Sequence, residues 1–179
     1  MLNADEKKIL LDLARSSICG LVNDSGNIPE TFKEPSGVFV TLTKQGELRG
    51  CVGIVEPIEP MYKAVIECAK SAAYRDSRFI PVREDEISSL NIEVSILSKP
   101  EPLAYASPGD LLEKLNKNFG VIIKKDSYSA TFLPQVWEEL PDKKEFLSHL
   151  CLKAGLDFDA WKRGDLEFSV YTVEKFSEK

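Results

Sequence analysis

Hydrophobic residues recur along this chain with two different periods, which predict where helices and strands lie. Near the amino terminus, one stripe at helical spacing is formed by Leu10, Ala14, Ile18 and Leu21. We therefore predict a helix over residues 4–19. Asn3 precedes this helix and Glu6 follows three positions later, which is the pattern of a capping box at a helix start.

The period then changes to two, which is typical of strands. The run "GVFVTL" alternates, "KQGE" supplies a turn and "LRGCVGIV" returns, so a β-hairpin is predicted here. The remaining predicted elements are a helix over 60–74, a strand over 91–98, a short helix after Pro108, a second hairpin over 119–136, a helix over 144–154 and a strand over 167–176.

This order of elements predicts an α+β fold, because hairpins imply antiparallel pairing. We expect a single domain over residues 1–179 with two lobes. Residues 106–157 would form the smaller lobe, and residues 1–105 with 158–179 the larger one. A cleft between lobes is a common place for a ligand, and we expect the functional site there.

Composition narrows the classes of function. The formal net charge is −6, and no run of lysine and arginine provides the basic face that nucleic-acid binding needs. No apolar run approaches the ~20 residues that span a bilayer, and the amino terminus lacks the pattern of a signal peptide. We therefore expect a cytoplasmic protein that binds neither nucleic acid nor membrane.

The four cysteines lie at positions 19, 51, 68 and 151 and form no C-x-x-C pair and no His/Cys cluster with zinc spacing. We expect free thiols, no metal and no cofactor. Cys68 and Cys151 fall on apolar helix faces and are predicted to be packing residues. The one histidine, His149, falls near the polar edge of its helix.

The stretch "GELRGCVG" is the strongest candidate for chemistry. In a strand, alternation places Arg49, Cys51 and Gly53 on one face. A guanidinium beside a thiol favours the thiolate, which is the form that acts as a nucleophile. Gly50 on the other face leaves room for a close approach by another part of the chain. That other face is predicted to pack on the core and comprises Leu48, Gly50, Val52 and Ile54.

Neighbouring strands offer polar partners for the thiol. Thr41 lies in the other arm of the hairpin, and Glu93 and Ser95 share the polar face of the next strand. If these strands join one sheet, we expect Glu93 near Arg49. A structural interpretation competes, since free cysteine is often a buried small hydrophobe and hairpin glycines often mark bulges. Arginine–glutamate pairs across strands are also commonly structural.

Several segments together resemble the AMMECR family. The hallmark of that family is L-R-G-C-I-G, and residues 48–53 are "LRGCVG", with Val52 in the isoleucine position. The other matching segments, in family order, are "FVTLTKQGELRG", "RDSRFIPV", "IEVSILSKPEPL", "LPQVWEE" and "FLSHLCLKAGL". The resemblance implies a two-lobed α+β domain with the hallmark near the cleft. It also implies that the protein is encoded near a Memo-like protein and a radical-SAM protein, which are possible partners.

The family motif covers Asp76 and Arg78, and the resemblance suggests that they bind an anionic or polar ligand. On spacing alone, the same two residues would be a solvated turn pair. Gln135, in "LPQVWEE", is a candidate for a bond to ligand or to backbone. Trp137 departs from the family pattern, which commonly has a small residue there.

Two functions stay open at this point. In the first, the protein is an enzyme or accessory enzyme in which Cys51 attacks or accepts a small polar substrate, Arg49 stabilises negative charge and Glu93 orients the site or acts as a base. In the second, it is a non-catalytic binding, scaffold or regulatory module that works with Memo-like and radical-SAM partners. The expected ligand-binding residues are Thr41, Gly50, Gly53, Asp76, Arg78, Ser95 and Gln135.

Overall fold

The computed structural model describes residues 2–21 and 28–178. Contacts divide the chain into two compact units, Met1–Lys99 with Glu174–Lys179, and Pro100–Val173. Each unit combines helices with a four-stranded sheet in which the strands pair antiparallel. The predicted α+β class is therefore confirmed.

The first unit packs two long helices against its sheet. Its elements are α1 (Ala4–Ile18), a 3₁₀ helix (Glu30–Phe32), β1 (Gly37–Lys44), β2 (Glu47–Ile54), α2 (Met61–Tyr74), a second 3₁₀ helix (Glu84–Ser89), β3 (Leu90–Leu97) and a last strand (Val173–Ser177). In the sheet, β1 lies between β2 and β3, and the last strand follows β3. β2 is therefore an edge strand of this sheet in the described residues.

Alternation along the central strand builds the core of this unit. Val38, Val40 and Leu42 of β1 are completely buried on the side that α2 covers. Their neighbours in sequence face the other side, because successive side chains of a strand point in opposite directions. Full burial of a side chain of this size contributes roughly 1.5–3 kcal/mol.

α1 begins as the sequence predicts. The Asn3 side chain accepts a hydrogen bond from the Glu6 amide at 2.9 Å, and the Glu6 carboxylate accepts one from the Asn3 amide at 2.9 Å. The helix ends at Ile18, and Gly20 follows with a φ of 71°. Leu21 therefore lies beyond the helix and is exposed, so its predicted place on the apolar stripe is wrong.

Replacing Asn3 with alanine is expected to lower the free energy of unfolding by about 1 kcal/mol, because the first turn of α1 loses its capping acceptor. Urea unfolding followed by circular dichroism measures the change. Asn3→Asp is the matched control, since it keeps an acceptor at the cap and should stay close to the wild type. An alanine variant as stable as the aspartate variant would contradict the role of the cap.

A β-bulge interrupts the first hairpin. Leu42 pairs with Gly50, but the next residue, Thr43, pairs with Leu48, so Arg49 is an extra residue in β2. The bulge moves Leu48 off the core side, where it was predicted, and leaves its side chain exposed. An extra residue of this kind redirects the side chains on its strand.

The second unit has its own sheet and core. Its elements are β4 (Glu101–Pro102), α3 (Pro108–Lys114), β5 (Gly120–Lys125), β6 (Tyr128–Phe132), α4 (Val136–Glu139), α5 (Lys143–Lys153), a 3₁₀ helix (Ala160–Lys162) and β7 (Glu167–Tyr171). The strand order is β4-β7-β5-β6. The last strand of the first unit is accordingly β8.

Two tryptophans anchor this second core. Trp137 is buried, stacks on Phe146 with ring centroids 3.5 Å apart, and donates its indole N–H to the Phe119 carbonyl. Trp161 is buried as well and donates to the Ser148 hydroxyl at 2.9 Å. A buried indole needs such an acceptor, and both rings have one.

The final predicted strand is two strands. β7 pairs with β5 in the second unit, whereas β8 lies beside β3 in the first. The continuous apolar alternation through residues 167–176 concealed the change of sheet at Thr172. Residues 158–173 lie in the second unit and not, as predicted, with the larger lobe.

Among residues 2–21 and 28–178, no helix has both the length and the apolar composition needed to cross a membrane.

Candidate functional site

The side of the first sheet that faces away from Val38 and Val40 carries polar residues from three strands. Cys51 of β2 lies opposite Thr41 of β1, and Thr41 lies opposite Glu93 of β3. In the neighbouring row, Phe39 lies between Gly53 and Ser95. We call the group Thr41, Cys51, Glu93 and Ser95 the polar face. The expectation that these strands join one sheet is confirmed.

The thiol of Cys51 has a defined partner. The Thr41 hydroxyl donates to Sγ at 3.4 Å, and the cysteine is partly buried. A hydroxyl that donates to sulfur stabilises negative charge there. Two other thiols are buried, and burial raises the pKa of Cys68 to about 11 and also raises the pKa of Cys151.

Asp76 and Arg78 hold the backbone of Cys51 in β2, which is an edge strand of the sheet in the part of the chain that the structure describes. The Asp76 carboxylate accepts the Cys51 amide at 2.9 Å, and the Arg78 guanidinium donates to the Cys51 carbonyl at 3.1 Å. The two side chains thus take the place of a neighbouring strand and satisfy both backbone groups of this residue. This contact gives the "RDSR" segment a structural role that spacing alone did not predict.

Both oxygens of Asp76 are in use. Oδ1 accepts from the amide and Nε of Arg78, and Oδ2 accepts from Nη2 of Arg78 as well as from Cys51. The side chain of Asp76 is only 6% exposed, whereas that of Arg78 is 56% exposed. The hydrogen bonds from Arg78, followed by the one from the Cys51 amide, hold the pKa of Asp76 far below its ordinary value.

The predicted pairing of Arg49 with Glu93 is wrong. Arg49 donates to the Glu86 carboxylate at 2.6 Å and to the Ile80 carbonyl at 2.9 Å. The bulge in β2 directs the guanidinium toward the segment between α2 and β3 that contains Ile80 and Glu86. The side chain of Arg49 is 14% exposed. Among the hydrogen bonds of the described residues, none joins the Arg49 guanidinium to the Cys51 sulfur.

Glu93 does not reach the thiol. It lies two strands away from Cys51, and strands in a sheet are spaced about 4.8 Å apart, so the two backbones are about 10 Å apart. Its nearest cation is Lys175 of β8, at 3.9 Å. A direct proton transfer between Glu93 and the sulfur would need a shorter distance.

The two glycines of the motif are sites of close packing. A Cβ on Gly50 would lie 2.1 Å from the Ala72 carbonyl oxygen of α2, so the predicted backbone approach is confirmed. A Cβ on Gly53 would lie 2.2 Å from the ring of Phe39. The space at each position is filled by the protein's own atoms. Ser95, opposite Phe39, is 5% exposed.

Gln135 lies in the second unit, immediately before α4. Its Oε1 is buried and has no hydrogen-bond partner among the described residues. His149 is exposed on α5 and contacts Phe158 edge-on, as its place near the polar edge of the helix predicts.

Comparison with known protein families matches residues 11–176 to AMMECR1. The chain belongs to the AMMECR1 family. Protein MK0488 of Methanopyrus kandleri is 41% identical to it over 188 residues, which cover 99% of this chain and 91% of that protein. Protein MJ0810 of Methanocaldococcus jannaschii is 44% identical over 154 residues, covering 84% of this chain and 77% of that protein.

A solved structure shares the AMMECR1 fold. The crystal structure of uncharacterized protein PH0010 from Pyrococcus horikoshii matches with a TM-score of 0.81 and 36% identity, covering 96% of this chain and 90% of that one. The family predicted from the motif segments is thus confirmed. None of these names states a reaction.

One residue of this AMMECR1-family site, Glu86, was not predicted from the sequence. Glu86 accepts from Arg49, from Lys44 at 2.9 Å and from the Arg83 amide at 3.0 Å. These three donors, Lys44 first, lower the pKa of Glu86 from 4.5 to about 2. Glu86 stands in the charged run "REDEIS", where nothing distinguishes it from its acidic neighbours. From the sequence, Arg49 was expected near Glu93, which gave no indication of Glu86 as its partner.

Proposed function

We propose that this AMMECR1-family protein uses Cys51 as the reacting thiol for a small polar substrate bound at the polar face. The observation that carries the proposal is the way Cys51 is held. Its sulfur receives a hydrogen bond from Thr41, while Asp76 and Arg78 fix its amide and its carbonyl. Cys151, by contrast, is completely buried in the core of the second unit.

The proposed step is a nucleophilic substitution. The Cys51 thiol first loses its proton to solvent, and a sulfur lone pair then forms a bond to an electrophilic carbon of the substrate. The bond from that carbon to its leaving group breaks, and the leaving group takes the electron pair. Thr41 stabilises the sulfur before attack, since a hydroxyl donor interacts more strongly with a thiolate than with a thiol.

Alkylation of the folded protein tests this assignment. Iodoacetamide labelling, with site-resolved mass spectrometry, compares Cys51 with the exposed Cys19 in the same molecule. We expect Cys51 to react several-fold faster than Cys19 although it is less accessible, because reactivity follows thiolate character. We expect Thr41→Val to slow labelling of Cys51 by about threefold or more, the cost of one hydrogen bond.

Thr41→Ser is the matched control, because it keeps the hydroxyl and should retain the rate. Cys51 labelling slower than that of Cys19 would overturn the proposal. The same holds if Thr41→Val and Thr41→Ser label alike. If Cys51 labels as expected, intact-mass analysis of protein isolated from its native host tests whether a group is carried on Cys51.

One observation favours a second function, that of a non-catalytic scaffold or binding module. Asp76 and Arg78 protect the exposed edge of the sheet at Cys51, and edge protection is a structural task found in proteins without a reaction. In this alternative the first unit presents a fixed surface to partner proteins such as the Memo-like and radical-SAM proteins. An unreactive Cys51 would favour it.

A further inference from the structure

We propose that the Cys51 site selects an electrophile that carries an anionic group, a carboxylate or a similarly charged oxyanion, and that Arg78 is the residue that recognises it. The inference rests on the proposed function and adds the class of substrate. It comes from the position of Arg78 relative to the thiol, from the exposure of its guanidinium and from the balance of charge around it.

Arg78 is the cation that contacts the reacting residue. Its Nη2 donates to the Cys51 carbonyl at 3.1 Å, while Nε and Nη2 bind the Asp76 carboxylate. Among the hydrogen bonds of the described residues, none uses Nη1 of Arg78. Because the side chain is 56% exposed, this edge of the guanidinium can meet a ligand beside Cys51. The planar guanidinium suits the geometry of a carboxylate.

Asp76 does not remove this capacity. Its side chain is 6% exposed, and both of its oxygens already accept hydrogen bonds from Cys51 and Arg78. A ligand that approaches from solvent meets the guanidinium and not the carboxylate. The pKa of Arg78 is raised, first by its hydrogen bond to Asp76 and, to a smaller extent, by Cys51.

The second cation of the region is less available. The Arg49 side chain is 14% exposed, and its guanidinium is bound to Glu86 and to the Ile80 carbonyl. An anion could bind it only after breaking that pair. Arg78 is therefore the better candidate for recognition, and Arg49 the better candidate for holding the bulge in place.

The local charge also favours an anion. Among the ion pairs of the polar face and the segments beside it, four cations share three carboxylates, which leaves an excess of one positive charge: Lys44, Arg49, Arg78 and Lys175 against Asp76, Glu86 and Glu93. The whole chain carries −6, so the surroundings of Cys51 contrast with the average surface. A local excess of one sign raises the concentration of oppositely charged ligands at low ionic strength.

Two alkylating reagents that differ in charge test the inference. Iodoacetate and iodoacetamide both form a bond from sulfur to carbon and release iodide, and the thiol proton goes to the buffer. The ratio of their rate constants at Cys51, measured by site-resolved mass spectrometry, reports how well an anionic electrophile is accepted. This ratio is insensitive to changes in thiolate content, because both reagents attack the same thiolate.

We expect Arg78→Gln to lower the iodoacetate-to-iodoacetamide ratio at Cys51 about fivefold, as the loss of one exposed charge contact predicts. Arg78→Lys should keep most of the ratio, because the charge remains. Arg83→Gln is the matched control: Arg83 is also exposed and paired with a carboxylate, and the ratio should stay within twofold. The ratio at Cys19 should not change in any variant, and the wild-type ratio at Cys51 should fall as salt is added.

Two different results would contradict the two proposals separately. If Cys51 outpaces Cys19 with iodoacetamide but Arg78→Gln leaves the ratio unchanged, the anionic preference is wrong and the proposed function stands. If Cys51 is slower than Cys19 with both reagents, the proposed function fails and this inference fails with it. Circular dichroism of each variant confirms that the first unit is folded before rates are compared.

Discussion

Replacing Gly50 with alanine should destabilise the first unit by about 3 kcal/mol or more. The added methyl group would lie 2.1 Å from the Ala72 carbonyl oxygen and 3.0 Å from its carbonyl carbon. These are backbone atoms of α2, so no side chain can rotate away, and the helix itself must move off the sheet. Overpacking of this kind commonly costs about 1–3 kcal/mol, and contact with backbone places this case at or above the upper end.

Urea unfolding followed by circular dichroism measures the effect of Gly50→Ala, and labelling of Cys51 shows whether the polar face is disturbed as well. Gly109→Ala is the matched control, since the nearest atom to its added Cβ is the Ser107 hydroxyl at 3.8 Å. This residue lies near the start of α3, where alanine is a better helix former, so the control should be neutral or slightly more stable. Equal effects at the two positions would disprove the role of close packing.

The second large effect is expected at Glu86. Glu86→Gln removes the negative charge that Arg49 and Lys44 share, and both partners keep their positive charge. Hydrogen bonds to charged groups contribute about 1.5–3 kcal/mol, and the side chain of Glu86 is only 14% exposed, so we expect a loss of about 2 kcal/mol near neutral pH. Chemical unfolding of both proteins gives the difference.

This difference should depend on pH in a defined direction. The pKa of Glu86 is lowered from 4.5 to about 2 in the folded protein, so the folded state favours the ionised carboxylate. The stabilisation is fully present above about pH 4.5 and is lost as pH falls toward 2. The gap in stability between wild type and Glu86→Gln should therefore be constant at neutral pH and narrow in acid.

Asp85→Asn provides the control for Glu86. Asp85 also pairs with an arginine, Arg83, but both side chains are largely exposed, and exposed pairs contribute little. We expect a change within about 0.5 kcal/mol for this variant. A gap for Glu86→Gln that is as small, or that widens in acid, would contradict the assigned role of the carboxylate.

The sequence predicted the elements more accurately than the contacts of the site. Period-two alternation places Thr41, Cys51 and Glu93 on one side of a sheet, because alternation is a local property of each strand. The order of strands, which makes Thr41 the neighbour of both other residues, was open until the structure fixed it. Gly50 was also predictable, since a glycine in an apolar strand indicates close approach.

The wrong predictions are of two kinds. In one, a single extra residue changes the register of a strand; in the other, long-range contacts decide which of several similar charged residues form a pair. The bulge at Arg49 shifts Leu48 to the exposed side; the glycines of the hairpin indicated that a bulge was possible, but not which residue would be the extra one. Glu86 and Glu93 are equally plausible partners in sequence, and only the course of the chain after α2 selects Glu86. The change of sheet within residues 167–176 was hidden for the same reason.

The division of the final strands has a consequence for the folding of the first unit. That unit needs Glu174–Lys179, yet the entire second unit is encoded between Lys99 and this segment. Pairing of β8 with β3 therefore closes a chain loop that contains the whole second unit, and so does the ion pair of Glu178 with Arg15 of α1 at 2.5 Å. Contacts of such long sequence separation cost loop-closure entropy and form slowly, so we expect the sheet that carries Cys51 to be completed late in folding.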